Sequence, residues 1–125
     1  MCSGGCSTQG SFNIGAGVTQ LTEIKLGSDI WPTYEPGGET LTLQIYVNGT
    51  LAYQGAQGQH YGGSNQVFQF NFDFGVSQGS SITVKVTFSG VGNKLSDIFT
   101  MGDPSNSYVS NFSGTIFWGE LDGIS

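Results

Sequence analysis

A chain of 125 residues is the size of one domain, and its 21 glycines follow no three-residue period, which excludes collagen. Three lysines, no arginine and nine acids leave a net charge of −6, which argues against nucleic acid and anionic membranes as partners, since nothing could neutralise several phosphates. No apolar run approaches the ~18–20 residues of a membrane-spanning helix.

The first ten residues, MCSGGCSTQG, carry no hydrophobic pattern and read as a flexible arm ahead of a single domain over 11–125. They also lack the charged and apolar regions of a secretory signal, so an extracellular, cell- or spore-surface or virion location is expected with no signal peptide visible. Cys2 and Cys6, the two cysteines, lie on this arm, outside any core. A bridge between them closes too small a loop to stabilise a domain much, so joining neighbouring chains is the sharper use. Reduced, idle thiols are the plain alternative.

Short apolar alternations then follow one another. Phe12 and Ile14 begin a strand stopped at Gly15-Ala16-Gly17, and Thr22 to Leu26 forms a second with Ile24 and Leu26 inward. Pro32 and Pro36 make residues 30–38 irregular. Leu41, Leu43 and Ile45 alternate with Thr42, Gln44 and Tyr46, and Asn48-Gly49 supplies a strong hairpin signal. A three-residue loop, Val47-Asn48-Gly49, would pair Ile45 with Leu51 and Leu43 with Tyr53 and keep one apolar face; a two-residue loop would pair Ile45 with Ala52. The first is the expectation. Residues 56–65 read as a long polar loop.

Phe68, Phe70, Phe72 and Phe74 alternate with Gln69, Asn71 and Asp73, the clearest strand in the chain. Left as an open edge it would be an aggregation hazard, so a sheet interior or a subunit contact is expected for it. Ile82, Val84, Val86 and Phe88 mark the next strand, Leu95 to Met101 a weaker one, and Tyr108 to Leu121 one or two more. About eight short strands with turns between them and no helical period predict an all-β fold: an antiparallel β-sandwich of jelly-roll type.

Chemistry finds little to work with. His60 is the one histidine, no G-x-S-x-G elbow is present, and the acids are scattered, so no catalytic constellation forms and an enzyme is not expected. No cofactor is called for. Calcium is the candidate metal, with Asp97 and Asp103, or Glu120 and Asp122, as loop ligands. Trp31, Tyr34, Tyr61 and Trp118 stand beside polar loops, where flat rings can stack on neutral sugars; the same residues equally suit a core rim or a subunit interface.

Near the C-terminus, Ser110-Asn111-Phe112-Ser113-Gly114-Thr115-Ile116-Phe117 resembles the closing strand of the tumour-necrosis-factor/C1q-like jelly rolls, S-x-F-S-G-x-L. Tyr46-Val47-Asn48-Gly49-Thr50, then 67–74, then 78–84 follow that family's order, with Ser80 where the family usually has Asp. The cysteine-bearing arm is similar to that of bacterial endospore appendage subunits, in which N-terminal cysteines link stacked subunits to partner cysteines in the core; this chain has no core cysteine. Both resemblances imply a jelly roll that assembles, and neither implies an enzyme. The expected function is a self-assembling structural subunit or head domain of an extracellular fibre, appendage or virion, with itself as partner. The alternative is a lectin-like module for neutral glycans, with or without calcium.

Overall fold

The structure is a computed structural model that describes residues 6–28, 40–58, 66–89, 100–101, 108–113 and 117–124. Nine strands run through them: β1 (Cys6–Asn13), β2 (Gln20–Ser28), β3 (Thr40–Val47), β4 (Thr50–Gly58), β5 (Gln66–Gly75), β6 (Ser81–Ser89), β7 (Thr100–Met101), β8 (Tyr108–Ser113) and β9 (Phe117–Ile124). They form a four-stranded sheet in the order β1-β6-β3-β4 and a five-stranded sheet in the order β5-β2-β9-β8-β7. Every pairing is antiparallel.

The pairings nest. β3 pairs with β4, β2 with β5 and β1 with β6, as in one long hairpin whose tip is the Asn48-Gly49 turn. Successive rungs alternate between the two sheets, and β6 closes the wrap by pairing with β3 as well as β1. This is the jelly-roll winding, here in six strands. The meander β7-β8-β9 then extends the second sheet beside β2.

Period-two patterning explains why these segments lie where they do. Leu41, Leu43 and Ile45 on β3, Ile82, Val84 and Val86 on β6, Ile24 and Leu26 on β2, and Leu121 on β9 turn inward and are fully buried. Phe68 and Phe70 join them at 2% and 4% exposure. Each such side chain contributes about 1.5–3 kcal/mol on leaving water.

Three expectations change. β1 begins at Cys6, so pairing with β6 extends into the stretch 1–10 read as an arm. The pattern hides it because positions 8 and 10, opposite Val86 and Val84, are Thr and Gly. The β3–β4 loop has two residues, not three. Val47 pairs with Thr50, and both Asn48 (φ 50°) and Gly49 (φ 82°) are left-handed, as a type I′ turn demands. The extra residue comes later, as a bulge at Ala52 that returns Tyr53 to a position opposite Ile45 and leaves Leu51 46% exposed. Finally, of the two places expected for the phenylalanine strand β5, a sheet interior or a subunit contact, the first does not hold: β5 ends its sheet among the described residues.

One end of the sandwich is tied by backbone bonds. Ile14 N–H donates to Ser80 O (2.8 Å), Gly79 N–H to Ile14 O (2.7 Å) and Thr19 N–H to Ile124 O (2.9 Å). Asn48 locks the hairpin tip to β6: its N–H donates to Ser81 O, and its side-chain oxygen accepts from Ser81 N–H at 2.9 Å.

Candidate functional site

Two features stand out on the sandwich. The first is an aromatic border where, among the described residues, both sheets end: β4 closes one sheet, β5 closes the other, and the two lie against each other. Tyr53 of β4 packs on Phe72 of β5 with ring centroids 4.8 Å apart, and Phe72 packs on Phe74 at 5.3 Å. Phe70 meets Tyr53 edge-on at 6.4 Å. These spacings are those of favourable ring pairs. Tyr53, Phe72 and Phe74 are only partly buried, so the ladder is shared between core and solvent.

Gly55 makes the arrangement possible. A Cβ there would meet the Tyr53 hydroxyl at 2.5 Å and Phe70 Cδ1 at 3.0 Å. With no side chain at 55, the Tyr53 ring lies along its own strand and reaches across to β5. Gln57 of β4 adds a bond over the same gap, its amide donating to Gln69 O at 2.7 Å. This bond occupies part of the β5 edge that would otherwise be open to pairing.

The second feature is a carboxylate cluster on the outer face of the other sheet. Register sets Glu23 of β2 opposite Asp122 of β9, and Lys25 opposite Glu120. Lys25 pairs with Glu23 at 3.5 Å, and Gln69 donates to Glu23 at 2.8 Å. Asp122 Oδ1 is buried without a hydrogen-bond partner among the described residues. Loss of water around it, then a hydrogen bond with Glu120 and the negative charges of Glu120 and Glu23, push the Asp122 carboxyl up from 3.8 to about 6. Further along the same face the Gln20 amide donates to the Asp73 carboxylate.

Of the residues singled out from sequence, Glu120 and Asp122 are brought together, and Glu23 joins them. Among the described residues no group of three or more His, Cys, Asp or Glu side chains is arranged to hold a metal ion. Asp97, Asp103, Trp31, Tyr34, His60, Tyr61 and Cys2 lie outside the described residues. Cys6 stands in β1 opposite Phe88, and Trp118 in β9 between Gly27 and Ser113. Tyr53 is one of the rings beside polar loops that sequence alone offers for stacking, and Glu23 one of the scattered acids, but nothing in the chain joins either to its neighbours here. The i, i+2 spacing of Glu120 and Asp122 within a strand shows that they share a face, but Glu23 is 97 residues from Glu120 and only the sheet order joins them.

Fold and surface together define an all-β antiparallel sandwich with jelly-roll winding and a half-covered aromatic border. No family model matches the chain, and no curated protein matches it. Among solved structures it is similar to one titled "Structure of infectious bursal disease virus Gx strain", at 17% identity and a TM-score of 0.44. The match covers 96% of this chain and 26% of the other, so this chain spans about a quarter of that one's length.

Proposed function

We propose that the protein is a non-catalytic structural subunit that associates with copies of itself, as part of a fibre, appendage or virion. The observation that carries this reading is the aromatic border: Tyr53, Phe72 and Phe74 form a continuous ladder at the meeting of two sheet edges, yet one copy leaves it partly open. Partly covered aromatic surface at strand edges is the kind of surface that subunit contacts bury. Leu51, exposed at 46% beside the Ala52 bulge, adds apolar area on β4. The cysteines add a link on the other side of the sheet, where Cys6 opens β1: a disulfide from Cys2 or Cys6 would join neighbouring copies there.

Sedimentation velocity at micromolar concentration, with and without reductant, tests this. The native chain should sediment above its 13.2 kDa monomer mass. Phe72→Ser should shift it toward monomer while its circular dichroism stays that of a β-sandwich, and reductant should loosen any species held by Cys2 or Cys6. A single monomer boundary for the native chain under oxidising conditions rules the reading out.

A further inference from the structure

The two outer faces of the sandwich differ in charge. On the four-stranded sheet, register aligns Gln9, Lys85, Gln44 and Gln54 in one row across all four strands. The adjoining row includes Ser11 and Thr83, whose hydroxyls are 2.9 Å apart. Lys85 is the charged residue of this face among the described residues, and it has no acid within ion-pair range there. The opposite face, on β5, β2 and β9, carries four carboxylates (Glu23, Asp73, Glu120 and Asp122) against one lysine, Lys25. Lys25 is taken by Glu23, so no described cation lies within ion-pair range of Glu120 or Asp122.

We propose that copies of the chain stack face to face, the Lys85 face of one on the carboxylate face of the next, with Lys85 seated against Glu120 and Asp122. The inference rests on the self-association reading and adds a second contact to it. Charge complementarity names the occupant, because each face presents what the other lacks and both belong to the same molecule. Area agrees. Four strands about 4.8 Å apart and about eight residues long, at about 3.3 Å per residue, make a face of roughly 500 Å². Covering two such faces removes about 1,000 Å² from water, the lower bound for a specific interface. Since the contact joins two different surfaces, it does not close on itself in a dimer; repeated, it builds a ring or an open series, according to the rotation between copies.

A charge-swap experiment tests the contact. Lys85→Glu and Glu120→Lys are made separately, each on an outward, water-facing position, and folding is checked by circular dichroism. Each variant alone should weaken association by about tenfold or more in dissociation constant, because like charges then face each other. Mixing the two variants should restore association, since the Glu introduced at 85 then meets the Lys introduced at 120. If the native chain assembles and neither substitution changes it, the stacking contact is overturned while the aromatic-border reading stands. If both variants weaken assembly but mixing restores nothing, the pairing of these two faces is overturned. A native chain that is monomeric at every concentration overturns both readings together.

Discussion

Gly55 is the residue on which the border depends most directly. A methyl group at 55 would overlap the Tyr53 hydroxyl and press on Phe70, so the ring would have to leave its place along β4. Gly55→Ala should therefore destabilise the fold by about 1–3 kcal/mol, the usual cost of overpacking, read as a lower urea midpoint with an unchanged slope. No such overlap exists at Gly49, where nothing lies within 4 Å and only its left-handed φ of 82° resists a side chain. The two glycines look alike in sequence and are needed for different reasons.

Asp122 is the second residue with a definite prediction. Its carboxyl titrates near 6 in the fold and near 3.8 when unfolded, so the folded state holds the proton more tightly. The stabilisation is fully present below about pH 4 and is lost as pH rises through about 6. Asn keeps the uncharged form at all pH values. Asp122→Asn should leave the thermal midpoint nearly unchanged at pH 4 and raise it at pH 7.5. Equal effects at both pH values would show that folding does not raise the Asp122 carboxyl.

At the level of elements, legibility follows from how much of a strand's fate is local. β3, β5 and β6 can be read directly, because apolar residues alternate through each and water sees only one face. β1 can be read only at its end, where Phe12 packs on the core. At Thr8 and Gly10, opposite Val86 and Val84, no apolar pattern shows, and the stretch 6–10 is strand because β6 offers it a partner more than 70 residues away. The β3–β4 turn shows a finer failure. Asn48-Gly49 announces a hairpin, but the demand for one apolar face can be met by a longer loop or by a short loop with a later bulge. The chain takes the second route, and Ala52, small and exposed, accommodates it.

β5 makes the same point about position. Its phenylalanines show that one face is buried, and nothing local shows which neighbours it has. Phe68 and Phe70 sit deep enough that Phe70→Ala should cost about 3–5 kcal/mol, whereas Phe72 and Phe74 stand nearer the rim. Urea unfolding of Phe70→Ala beside Phe72→Ala would check that gradient, and equal losses would place the ladder wholly inside the core. The carboxylate cluster, by contrast, could not be read from the chain, since β2 and β9 meet only through the sheet order.

At the scale of the whole molecule, the winding puts the sheet-ending strands β4 and β5 side by side and β1 beside β7, so among the described residues the sandwich has two lateral borders rather than four isolated edges. On the β4–β5 border it brings together rings from two strands, and on the two outer faces it separates Lys85 from a group of acids among the described residues. An amide and hydroxyl face carrying Lys85 on one side and an acidic face on the other are what an assembling subunit can use for orientation, with the aromatic border supplying apolar area.

Molar mass by multi-angle light scattering over a concentration series tests this account most directly. Association predicts a mass above 13.2 kDa that grows with concentration in the micromolar range, and the Lys85–carboxylate contact adds a share of it that salt weakens. A mass of 13.2 kDa at every concentration and salt level would contradict it.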